Sequence, residues 1–132
     1  MCVCFDLIFI SDTSTYSTPT SFLFYDLGSS HSFIHHHQNH NTPTDNIPLG
    51  GSCIKMPWAI GGSGSTFIYG LCDSEFREGG MTRSEAHRLV QLALSHAMAR
   101  DGSSGGIIRT VTVTEGGNER EYVPGDQLPF GP

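Results

Sequence analysis

The groups best able to do chemistry crowd into one junction, Ala99-Arg100-Asp101-Gly102-Ser103-Ser104-Gly105-Gly106. A carboxylate and hydroxyls fixed on a tight turn can hold a reacting group or its proton carrier. The neighbouring glycines permit left-handed and close-approach backbone that other residues resist. A second junction, Gly61-Gly62-Ser63-Gly64-Ser65, precedes a stretch of helical periodicity, where glycine amides can cradle an anion. The lysine of a phosphate loop and its Gly-x-x-x-x-Gly-Lys spacing are missing there, which argues against nucleotide. Two readings of each junction stay open on the residues alone. Ser63 is either part of a close-packed turn or a hydroxyl placed beside a reacting group. Asp101 and Ser104 either satisfy backbone amides around their glycines or serve a site.

Histidines 31, 35, 36, 37 and 40 form a third group, and neutral imidazole is a good transition-metal ligand. No cysteine or carboxylate stands at ligand spacing from them. The expectation is an exposed, biased tract with no resident metal, and the same holds for Cys2 and Cys4. No cofactor is expected.

Both junctions need elements to hold them. Thr82-Arg83-Ser84-Glu85 fits the capping box, in which hydroxyl and carboxylate each satisfy an orphan amide at a helix start. Ala86, Leu89, Val90, Ala93, Leu94, Ala97 and Met98 then repeat at helical spacing, leaving His87, Arg88, Gln91 and Ser95 off the stripe. Arg100 suits the negative end of the helix dipole, and Gly102 is placed to stop the helix. Ile107 to Thr114 is β-branched and reads as a strand. Glu115 to Asn118 reads as a turn, and Glu119 to Val123 as the returning strand. Upstream, residues 52–56 and 58–60 read as short strands parted by Pro57. Thr66 to Phe76 reads as a helix capped by Ser65, with Phe67, Ile68, Leu71 and Cys72 on its apolar face. Leu128 to Pro132 is expected to be an exposed tail or interface segment.

Composition sets the outer limits. At 132 residues the chain has room for a single domain. A net charge of −6 and a pI near 5.5 argue against nucleic acid, which asks for a basic stripe. No apolar run approaches the roughly 18 residues of a membrane span, and residues 1–10 make a poor signal peptide. Four cysteines in no paired framework fit a reducing compartment. The chain changes character near Asp45. Residues 1–45 hold no lysine or arginine and no sustained period, so they read as low-complexity chain, poorly ordered or only partly structured. Residues 46–132 read as the folded domain.

Several motifs of that second part carry a resemblance. They are Pro48-Leu49-Gly50-Gly51, Pro57-Trp58-Ala59-Ile60-Gly61-Gly62-Ser63-Gly64-Ser65, Ile68-Tyr69-Gly70, Phe76-Arg77-Glu78-Gly79, Met81-Thr82, residues 97–106 and Gly125-Asp126. Together they resemble the C-terminal half of a proteasome beta subunit, most of all the beta-one type, whose activity is caspase-like cleavage after acidic residues. The resemblance implies an α+β chain with a partial N-terminal-nucleophile hydrolase fold, an α/β/β/α sandwich with half present. It implies a threonine endopeptidase of the proteasome core particle, acting in the cytoplasm and nucleus on polypeptide substrates alongside other alpha and beta subunits. In that family an N-terminal threonine attacks, its own α-amine taking the hydroxyl proton. An amine with an ordinary pKa of about 7.7–8.0 does this well near neutral pH. Carried over by motif, Ser63 and Ser104 would hydrogen-bond the amine, while Asp101 would fix position and charge.

The chain also departs from the pattern. No threonine in residues 1–45, Thr13, Thr15, Thr18 and Thr20 included, sits in a matching Gly-Thr context, and the family's lysine is not recognisable there. Glu78-Gly79-Gly80-Met81 is one glycine longer than the family's loop. The expectation is a truncated beta-subunit-like domain, inactive alone and marginally folded or aggregating in isolation, because a strand without sheet neighbours exposes an edge and an apolar face. Three functions follow: a catalytic-family subunit of the core particle, a non-catalytic fragment or assembly partner of beta subunits, or an unrelated metal-binding module built on the histidine tract.

Overall fold

The computed structural model describes residues 7–12, 20–23, 44–46, 51–77, 81–114 and 117–128. Seven strands and two α-helices lie in the described residues: β1 (Leu7–Asp12), β2 (Thr20–Leu23), β3 (Thr44–Asn46), β4 (Ile54–Met56), β5 (Trp58–Gly61), α1 (Tyr69–Glu75), α2 (Arg83–Arg100), β6 (Ile108–Thr114) and β7 (Gly117–Val123). Five of the strands make one antiparallel sheet in the order β5-β1-β2-β6-β7, and β3 pairs with β4 in a two-stranded sheet. The expected α+β class is what the structure has.

The helix α2 is the spine of the core, lying against β1, β6 and α1. Its buried residues Ala86, Leu89, Val90, Ala93, Leu94 and Ala97 join Ile68, Cys72, Met81 and Ile108 in one apolar cluster. Alanines at three of these positions bring the helix backbone close to the sheet. Thr110 and Thr112 share the strand face of Ile108 and are buried with it, as the two-residue period of a strand requires. Thr110 keeps a polar partner there, its Oγ1 lying 3.0 Å from His87 Nε2. Glu121 Oε2 meets the same ring nitrogen at 3.1 Å. Burial and the neighbouring Asp73 carboxylate push the Cys72 thiol up to about 11.

The capping box at the start of α2 forms as the sequence predicts. The Thr82 Oγ1 accepts from the Glu85 amide at 3.3 Å, and the Thr82 amide donates to Glu85 Oε2 at 2.8 Å. The bond from the Thr82 amide, with those from the Thr82 hydroxyl and Arg77, pulls the Glu85 carboxyl down to about 2. A depressed carboxyl stabilises the fold above its unfolded value, and the contribution fades as pH falls through its folded value. Thr82→Ala should therefore cost about 1 kcal/mol in denaturant melts near neutrality, the ordinary worth of an N-cap. In thermal melts from pH 4.5 toward 2, Glu85→Gln should lose less stability than the wild type.

Elsewhere local rules give way to packing. Ser65 does not cap α1. It opens a short 3₁₀ turn, Ser65–Phe67, and its buried hydroxyl donates to the Gly62 carbonyl at 2.8 Å. The α-helix proper starts at Tyr69 and ends at Glu75, shorter than the expected span. Phe67, expected on an apolar face, is 54% exposed, because the 3₁₀ turn rotates it away from Ile68. Ser95, expected off the stripe, is buried, and its hydroxyl is satisfied by donating to the Gln91 carbonyl at 2.7 Å. Gly102 does not stop α2 with a left-handed residue. The helix ends on Asp101 itself, which takes extended backbone while its amide still reaches the Ala97 carbonyl.

Pro57 falls at the break between β4 and β5, which belong to different sheets. The β6–β7 hairpin runs in register from Ile108 opposite Val123 to Thr114 opposite Gly117. Residues 115–116 of its turn lie outside the described residues. At the sheet's β7 edge, exposed Glu119, Arg120 and Glu121 supply the charges that discourage further pairing. Leu128 is half-buried against the apolar cluster, so the expected tail begins by packing, and residues 129–132 lie outside the described residues.

Strands appear before Asp45, where the sequence shows no sustained period. The short apolar runs Leu7-Ile8-Phe9-Ile10 and Ser21-Phe22-Leu23 are long enough to pair once other strands supply partners. β1 and β2 sit between β5 and β6 in the same sheet as the later residues. The histidine tract, Cys2 and Cys4 lie outside the described residues.

Candidate active site

Two turns meet to make the site. The first follows β5. Gly62 takes left-handed backbone at φ 104°, which glycine alone adopts without strain, and its carbonyl receives the Ser65 amide and hydroxyl. That fold-back leaves Ser63 exposed at the tip. The second turn follows α2. The Ser104 amide donates to the Asp101 carbonyl at 3.1 Å, and the Ser103 amide donates to Asp101 Oδ1 at 3.2 Å. An Asp heading Gly-Ser-Ser is a sequence suited to this turn, since its side chain can bond its own backbone two residues on.

The Asp101 carboxylate joins the two turns. Its Oδ2 accepts from the Ser63 hydroxyl at 2.5 Å and from the Ser104 hydroxyl at 2.5 Å, while Oδ1 takes the Ser103 amide. The three side chains singled out in the sequence thus share one hydrogen-bonded cluster, although Ser63 and Asp101 are 38 residues apart. The Ser104 hydroxyl first, then Ser63, holds the Asp101 carboxyl below its ordinary value. Near neutral pH the group is a carboxylate with both oxygens engaged.

The chemistry available here follows from donor counting. Each serine hydroxyl has one proton, and each spends it on Asp101 Oδ2. Toward any further group the two hydroxyls can therefore act only as acceptors. Two acceptor oxygens flanking a negative charge make a cradle for a nitrogen donor, best of all a cationic one. Among the described residues no group of three or more His, Cys, Asp or Glu side chains is placed to hold a metal ion.

The sequence marks the three side chains and, as one reading of Asp101, a bond to a backbone amide of its own turn, which is that of Ser103. It does not show Gly125, which packs on the carbonyl of Gly106 at the far end of the second turn. The resembling Gly125-Asp126 pair was the only signal for it, and it gave no role.

Comparison with known proteins bears on the same region. The Proteasome subunit family model matches residues 45–113, just over half of the chain and inclusive of both turns. Proteasome subunit beta type-6 of Dictyostelium discoideum is 56% identical over 84 residues, which is 64% of this chain and 39% of that protein. Proteasome subunit beta type-1 of Saccharomyces cerevisiae is 57% identical over 74 residues, 56% of this chain and 34% of its own length. Proteasome subunit beta type-9 of Homo sapiens is 48% identical over 81 residues, 61% and 36% of the two chains. The chain thus spans between a third and two fifths of these curated relatives.

Proposed function

The chain belongs to the proteasome subunit family, and from that premise we propose that it works as a beta subunit of the proteasome core particle, of the beta-one, caspase-like type. Its partners are the other alpha and beta subunits, its substrates are polypeptides cut after acidic residues, and its compartments are the cytoplasm and nucleus. Ser63, Asp101 and Ser104 support the attack of an N-terminal threonine. The two hydroxyls accept from the threonine's α-ammonium or amine, and the Asp101 carboxylate keeps them turned that way.

The observation that carries this reading is the convergence of both hydroxyls on a single carboxylate oxygen at 2.5 Å. A pair of turns needing only internal satisfaction would use their own backbone amides. Here the long-range bond from Ser63 instead ties one turn to the other. Residues 1–132 supply no recognised nucleophile, so the threonine served by this cluster is proposed to come from outside them in the assembled particle, and the isolated chain is proposed to be inactive alone.

A fluorogenic peptide with an acidic residue before the reporter tests both halves. The isolated chain should give no turnover. Particles purified through a tag on the chain should cleave the peptide, and a threonine-directed electrophile should stop them. A serine protease inhibitor that stops the cleavage while the threonine-directed reagent does not would contradict the assignment. A second reading, a non-catalytic assembly partner, predicts tagged particles whose acidic-site cleavage ignores changes at Asp101.

A further inference from the structure

Gly125 opens a 3₁₀ turn, Gly125–Gln127, just beyond β7. A Cβ placed on Gly125 would stand 2.4 Å from the Gly106 carbonyl oxygen and 3.5 Å from its carbon. Its own φ is not in the left-handed region, so contact and not conformation demands the missing side chain. Glycines 102, 105 and 106, inside the Asp101 turn itself, have open space where a Cβ would go. The crowding therefore comes from outside the turn, at one point.

Neither partner in that contact is free to retreat. The 3₁₀ turn is closed by the Gln127 amide on the Pro124 carbonyl at 3.0 Å and the Leu128 amide on the Gly125 carbonyl at 3.4 Å. Leu128 then anchors it in the apolar cluster. The Asp101 turn is held at its start by the Asp101 amide on Ala97, and at its end by Gly106 against Gly125. Ser104 lies between the two anchors. We infer that Gly125 is a positioning residue for the Ser63–Asp101–Ser104 cluster: the closeness of its bare Cα to the Gly106 carbonyl sets the loop height that delivers Ser104 to Asp101. The inference rests on the functional reading of that cluster, and it extends the site to a residue outside the three.

The test uses the full-length chain and reads the carboxyl of Asp101 by carbon NMR across an acid titration, with amide exchange at Ser103 and Ser104. In the wild type the Asp101 midpoint should lie below the ordinary carboxyl range. In Gly125→Ala it should move back toward that range, and the Ser104 amide should exchange at least about tenfold faster, while Val90 and Leu94 in mid-α2 keep their rates. Gly105→Ala, in the same loop but with nothing near its Cβ, should leave both readouts at wild-type values.

A lowered melting temperature with an unmoved Asp101 midpoint would overturn the inference, and so would an equal shift in Gly105→Ala. If Gly125→Ala does not fold, exchange in the wild type decides. The Ser104 and Leu128 amides should open together with one dependence on denaturant, and independent opening would overturn the inference. Neither readout needs peptide cleavage. Tagged particles without acidic-site cleavage would sink the functional reading and leave this coupling standing, while an unmoved midpoint would do the reverse.

Discussion

Asp101→Asn should reduce acidic-site cleavage by tagged particles by about 10²–10⁴-fold, the range for losing a positioned proton-handling group, without changing their assembly. The reason is polarity rather than size. In the wild type Oδ2 receives two hydroxyl protons and Oδ1 receives the Ser103 amide. An asparagine has one acceptor oxygen and one amide nitrogen with two protons. If its oxygen faces the serines, its nitrogen points protons at the Ser103 amide. If it turns over, both hydroxyls must accept from it, and their own protons swing out toward the cradle. A site that accepted a nitrogen donor then presents donors to it, and the negative charge beside it is gone. Ser63→Ala and Ser104→Ala each remove one acceptor and keep the charge, so each should cost less than Asp101→Asn. Initial rates on the fluorogenic acidic peptide, at matched particle concentration, check the order. Unaltered rates in Asp101→Asn would favour the assembly-partner reading.

The second large effect concerns the fold that holds the site. Leu94→Ala should destabilise the chain by about 2–5 kcal/mol, the usual cost of emptying a buried leucine site. Leu94 is only 5% exposed and lies in the cluster joining α2 to Ile68, Cys72 and Ile108. Those neighbours belong to different elements, Cys72 to α1, Ile108 to β6 and Ile68 to the turn before α1, so shifting one of them alone does not close a cavity there. Domains of this size are commonly stable by about 5–15 kcal/mol, and smaller cores sit at the low end. For a chain expected to be only marginally folded in isolation, a loss of that size should leave little folded state, so its melt should broaden or vanish relative to the wild type. Phe67→Ala gives the contrast. At 54% exposure its removal should stay within about 0.5 kcal/mol of the wild type. Urea melts followed by far-UV dichroism check both.

The features legible in the sequence are those fixed by short-range chemistry. Thr82 and Glu85 stand three residues apart and satisfy each other's amides, so the start of α2 could be read directly. The turn after it was legible for the same reason, because Asp101 bonds within Gly102-Ser103-Ser104. Ser65 and Ser95 were misread because a hydroxyl can serve a cap, a solvent face or the carbonyl a turn behind it. Only the surrounding packing selects among these. Gly102 marked the place where α2 stops, just past Arg100, but not the means, since Asp101 ends the helix in extended backbone and Gly102 takes no left-handed turn.

Pairing at a distance was the least legible. β1 and β2 come from residues without a sustained period, and their places between β5 and β6 depend on strands more than thirty residues away. The bond from Ser63 to Asp101 is of the same kind. Residue types alone left each turn with a self-contained alternative, and the resemblance was what put the two together. The contact of Gly125 on Gly106 left no trace in composition or spacing.

Purification of the tagged full-length chain from its own cells under native, low-detergent conditions tests the central claim most directly. The account predicts that it elutes at the size of the core particle, with alpha and beta subunits present in stoichiometric amounts by mass spectrometry. Elution at the chain's own 14.3 kDa, with no ring subunit recovered, would contradict it.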